Sequence, residues 1–85
     1  MKIHLLLFAV LAEQAGHRRL VFDLPDDATV ADALSRFFSD VEIARSAIKV
    51  DPKQIAFAVN MEYVSSDHLL REGDEVALIP PVSGG

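Results

Sequence analysis

Apolar and polar positions alternate along this chain in short runs, and the period changes once. Residues 2–9, KIHLLLFA, form the short apolar stretch of a strand covered on both faces. Ile3, Leu5 and Leu7 point one way, and His4, Leu6 and Phe8 the other. VLAEQAG then predicts a short helical turn stopped by Gly16, a residue that tolerates the left-handed conformation following helices. Residues 18–24, RRLVFDL, alternate again, with Leu20, Phe22 and Leu24 on one side and Arg19, Val21 and Asp23 on the other. The gap between the two runs is short, which predicts an antiparallel pair.

Pro25 cannot donate to a ladder and ends the second strand. The period now becomes helical. In PDDATVADALSRFF, Thr29 is a natural N-cap with Asp32 three residues on, a variant of the capping box. Asp26 and Asp27 add negative charge near the positive end of the helix dipole. Val30, Leu34 and either Phe37 or Phe38 share a stripe, while Asp32, Ser35 and Arg36 face outward. A second, weaker helix is expected within residues 40–49.

QIAFAV (54–59) predicts another strand, NME a tight turn, and Tyr63-Val64 its continuation on the far side. SSDHLLREGDE reads as a loop with a helical turn, with Gly73-Asp74 supplying turn chemistry. EVALIP (75–80) is the last strand, Val76 and Leu78 opposite Ala77 and Ile79. Strands gathered around one good helix predict an α+β domain, a mixed sheet of four or five strands with the main helix packed on one face. The first and last strands are the most apolar and are expected to be central, parallel neighbours. That arrangement is the β-grasp, or ubiquitin-like, fold, over residues 1–79, with an extended tail at 80–85.

Composition narrows the function. At 85 residues there is room for one core. The net charge of −5 argues against an electrostatic grip on nucleic acid or an anionic membrane and allows a basic protein partner. The absence of cysteine excludes a disulfide framework, a thiolate metal site and a cysteine nucleophile. Lys2, the apolar stretch Leu5 to Leu11 and the small Ala9 and Ala12 have the outline of a secretory leader. The stretch is too short to span a membrane and no clean A-x-A site follows it. It is read as a buried strand, and the protein as cytoplasmic.

The tail, PPVSGG, holds the candidate chemistry. Pro80 and Pro81 favour stiff polyproline II, and six residues at that rise reach about 18–20 Å. Gly84 and Gly85 lack a β-carbon, so the backbone can thread a channel closed to other residues. Two readings follow: a frayed end, or a tail whose reactive group is the terminal carboxylate rather than a side chain.

GDEVALIPPVSGG resembles the C-terminus of the sulfur-carrier small subunits of molybdopterin synthase. LLFAVLAEQAG is similar to that family's first strand and turn, FDLPDDATVADAL to its second strand and capped helix, and AVNMEYV to its central hairpin. One departure is visible: Asn60-Met61 stands where the family commonly has Asn-Gly, and methionine does not suit a turn with positive φ at both central residues.

The resemblance implies that Gly85 is adenylated with ATP and magnesium on a separate, E1-like activating enzyme. A sulfur donor protein then converts it to a thiocarboxylate. Gly84 would be the slender stalk that carries it into the large subunit, where it supplies sulfur to cyclic pyranopterin monophosphate. No cofactor is expected on this chain, and a heterotetramer with the large subunit is implied. By the same resemblance the interface falls on Phe8, Tyr63 and Ile79, continued by Pro80, Pro81 and Val82. Strand parity agrees: if Leu5, Leu7, Val76 and Leu78 face the helix, Phe8, Ala77 and Ile79 lie on the outer face. The other readings are a carrier for thiamine, tungsten cofactor or tRNA thiolation, a ubiquitin-like modifier, and a β-grasp interaction module without a reactive tail.

The remaining polar residues are read as structural. His4, His17 and His68 lack ligand spacing, and Ser65-Ser66-Asp67-His68 is turn chemistry rather than a triad.

Overall fold

The computed structural model describes residues 1–40 and 49–81. The helix expected within 40–49 therefore falls almost entirely outside the described residues, as do Val82, Gly84 and Gly85. Strands β1 (Lys2–Leu7), β2 (Arg19–Asp23), β3 (Ala56–Val59), β4 (Glu62–Val64) and β5 (Glu75–Ile79) join in one sheet of order β2-β1-β5-β3-β4. β1 pairs antiparallel with β2 and parallel with β5, and β3 lies antiparallel to both β5 and β4. This is the mixed β-grasp sheet that the two apolar outer runs of the sequence anticipate.

Helix α1 (Ala9–Ala15) is longer than the single turn expected, and Gly16 closes it at φ 77°. Helix α2 (Val30–Ser39) starts as its sequence requires. The Thr29 hydroxyl accepts from the Asp32 amide, and the Asp32 carboxylate accepts from the Thr29 amide at 2.8 Å. The next two amides of the helix, on Val30 and Ala31, donate to the carbonyls of His68 and Ser66. The 65–68 turn thus satisfies donors that a helix start otherwise leaves unpaired. Within it the Ser65 hydroxyl donates to the Asp67 carboxylate.

Ile3, Leu5, Val76 and Leu78 are fully buried on one face of the sheet, with Val30, Ala33 and Phe37 from α2 and Leu11 from α1. Phe37, not Phe38, takes the fully buried position; Phe38 packs edge-on against it at 5.2 Å. Arg36 fastens the far end of the helix to β2, with its guanidinium 5.2 Å from the Phe22 ring and a bond to the Asp23 carbonyl. β1 is a central strand of this sheet, and no helix among the described residues is long and apolar enough to cross a membrane.

Candidate functional site

With one face of the sheet committed to the core, the other carries a transverse row that crosses all five strands. Arg19 pairs with Leu6, Leu6 with Ala77, Ala77 with Ala58, and Ala58 with Tyr63. Because paired residues share a face, all five strands contribute one side chain to this line. Tyr63 stands at one end, 76% exposed. Two small alanines in the middle leave a concavity of about 230 Å³, bounded by Phe8, Met61, Tyr63 and Ile79 among others.

Phe8 reaches this face by a route that strand periodicity does not contain. β1 stops at Leu7, and Phe8 is the N-cap of α1. Ala9 then adopts φ 49°, the left-handed region, which breaks the ladder and turns the chain into the helix. Phe8 is left 47% exposed at the C-terminal end of β1. Ile79 ends the neighbouring parallel strand β5 and is half-buried. The apolar groups therefore gather where β1 and β5 both finish.

The opposite side of the row is polar. Arg19 Nη2 donates to His4 Nδ1 and to Glu75 Oε2, each at 3.2 Å. This exposed cluster bounds the apolar surface on the side away from the tail.

Directly after Ile79 the chain enters the tail. Pro80 is buried within the domain, so it anchors the base of the tail instead of extending it. Pro81 is the first exposed tail residue.

The hairpin between β3 and β4 also departs from expectation. Asn60 and Met61 lie at φ 49° and 74°, so the turn keeps positive φ at both central positions although one of them is methionine. The backbone conformation that Asn-Gly would adopt freely is imposed on Met61. The neighbouring strands dictate it, since a two-residue connection must match their twist.

Among the described residues no three His, Asp or Glu side chains converge as metal ligands. A larger open depression, about 750 Å³, lies at the other end of β5 and is lined by Asp26, Asp27, His68 and Asp74 among others.

The profile of the ThiS family matches residues 5–85. The chain belongs to the ThiS family. Among ThiS relatives, the molybdopterin synthase sulfur carrier subunit of Chlamydomonas reinhardtii is 40% identical over the whole of both chains. The crystal structure of small archaeal modifier protein 1 from Haloferax volcanii superposes with a TM-score of 0.73 at 36% identity, again over the whole of both chains. A further structure is that of subunits 1 and 2 of the molybdopterin-converting factor from Helicobacter pylori in complex. It matches over the whole of both chains with a TM-score of 0.67, and at 19% identity that likeness shows the fold. The ThiS family assignment and the β-grasp topology thus agree.

Proposed function

We propose that this chain is the sulfur-carrier subunit of a molybdopterin synthase and that the carboxylate of Gly85 is its reactive group. A carboxylate acylates poorly. Its oxygen attacks the α-phosphate of ATP on an activating enzyme that holds magnesium, forming an acyl-adenylate and releasing pyrophosphate. A persulfide sulfur of a donor protein attacks the acyl carbon and expels AMP. A thiol then cleaves the resulting acyl disulfide, leaving a thiocarboxylate and a new disulfide on the donor. The charged tail, with Gly84 as its narrow stalk, then enters the large subunit and gives up sulfur to cyclic pyranopterin monophosphate. This chain contributes no acid, base or cofactor to those steps. It contributes placement, since docking converts an encounter in solution into reaction of held groups.

One observation carries this reading. The apolar end of the outer face, at Phe8 and Ile79, lies where β5 hands over to the tail. A partner seated on Phe8, Tyr63 and Ile79 would therefore receive the tail, with Pro81 and Val82 entering its channel. Pro80 sets the direction of exit. The same surface would serve the activating enzyme and the large subunit in turn, in the cytoplasm, with two copies of each subunit in the synthase.

The likeness to small archaeal modifier protein 1 favours a second reading, in which the activated Gly85 is joined to lysines of other proteins. Intact mass spectrometry on the chain produced beside its activating enzyme separates the two. Exchange of one oxygen for sulfur supports the carrier, and covalent adducts of higher mass support the modifier. The charged protein should then convert cyclic pyranopterin monophosphate when mixed with a large subunit. One bulky residue appended after Gly85 should abolish that conversion and leave the fold intact. Undiminished sulfur transfer by the extended variant would refute the proposal.

A further inference from the structure

Met61 is the most exposed large apolar side chain of the described residues, 89% accessible, and it sits at φ 74°. Each fact is unfavourable alone. A left-handed backbone position disfavours any residue with a β-carbon, and glycine would meet the turn's demand without strain. An exposed methionine adds almost no burial to its own domain. Neither fact gives Met61 a part in the stability of its own domain.

Its position says where it can act. Met61 borders the 230 Å³ concavity whose floor is Ala58 and Ala77 and whose other walls include Phe8, Tyr63 and Ile79. That volume lies below the roughly 300–1,000 Å³ of small-molecule sites. It suits a single large apolar side chain projecting from another protein. Glu75, held by Arg19 through a 3.2 Å ion pair, lines the polar side of the same concavity. The complementary surface is therefore a single apolar knob. Methionine, unbranched and polarizable, moulds itself to such a knob better than a stiffer side chain.

We propose that Met61 is a specificity-determining contact for the protein that receives the tail, forming the adaptable wall of a socket for one apolar side chain of that partner. This rests on the carrier reading above, in which the outer face docks a large subunit.

The test measures two quantities, thermal midpoint and affinity for a molybdopterin synthase large subunit from the same genome, on the full chain. Met61→Gly should not lower the midpoint, because the strain it relieves offsets the added freedom of the unfolded chain. The same change should weaken binding at least tenfold. Met61→Asn, which tolerates positive φ but is polar, should also bind weakly. Met61→Leu should stay within about threefold of the parent, because volume and apolarity are kept. Phe8→Ala is the control for the docking surface. If Phe8→Ala loses affinity while Met61→Gly binds as the parent does, the Met61 contact is wrong and the docking surface stands. If the parent chain does not bind the large subunit at all, the carrier reading fails and this inference falls with it.

Discussion

Asn60 Nδ2 donates a 2.9 Å hydrogen bond to Asp74 Oδ1, tying the tip of the β3–β4 hairpin to the loop that launches β5. The same asparagine closes a ring with Glu75. Its Oδ1 accepts from the Glu75 amide at 3.1 Å, and its own amide donates to the Glu75 carbonyl at 2.9 Å. Asp74 in turn accepts from the Arg71 amide at 2.8 Å. The strand that leads into the tail is thus fixed at its first residue by one fifteen positions earlier in the chain. Asn60→Ala removes both side-chain bonds and places alanine at φ 49°, so it should lower stability by about 1–3 kcal/mol. Asn60→Gly keeps the conformation free of strain and should lose less. Urea unfolding of both variants separates the two contributions; equal losses would show that strain contributes nothing.

Two phenylalanines should behave oppositely. Phe37 is fully buried beneath the sheet, and Phe37→Ala should cost about 3–5 kcal/mol, much of what a domain of this size holds. Phe8 is 47% exposed on the outer face, and Phe8→Ala should cost no more than about 1 kcal/mol. In a binding assay with the large subunit the ranking should reverse, with Phe8→Ala the more damaging when both proteins are compared while folded. Global unfolding by Phe8→Ala would mean that the outer face belongs to the core.

Ala9 occupies a left-handed position at φ 49° immediately after Phe8. A β-branched residue fits that region worse than alanine, so Ala9→Val should destabilise by about 1–2 kcal/mol. Ala9→Gly should not destabilise, because the strain it removes offsets the added freedom of the unfolded chain. Denaturation midpoints of the pair check the sign. Greater stability in Ala9→Val would show that the β1–α1 junction does not need positive φ.

Much of the architecture was legible in local pattern. Alternation in β1 and β5 assigned Leu5, Leu7, Val76 and Leu78 to the core face, where they are buried. Thr29 and Asp32 announced the start of α2 through bonds that span three residues. Gly16 and Gly73 marked positive φ, found at 77° and 83°. Each of these depends on neighbours in sequence, so the sequence could reveal it. The outer-face candidates were legible for the same reason, since parity is a local property.

What lay out of reach depends on residues brought together from afar. Phe37 and Phe38 fall equally well on the helical stripe, and only the docking angle of α2 decides which is buried. Arg19, read as one side of an alternating strand, bonds His4 and Glu75 because two strand pairings place them side by side. Ala9 and Met61 carry no glycine-like signal, and their positive φ is imposed by the elements they connect.

The amino-acid order by itself determined the strand and helix periods, the caps and turns, and a tail of Pro-Pro-Val-Ser-Gly-Gly without charge, because these follow from backbone geometry within a few residues. Tertiary structure alone decided that Phe8, Tyr63 and Ile79, far apart in the chain, close with Met61 around one concavity floored by Ala58 and Ala77. It also decided that Pro80 is buried while Pro81 is exposed. The reason is that burial belongs to the packed sheet as a whole: a side chain's parity names its face, and only the assembled strands determine what else stands there.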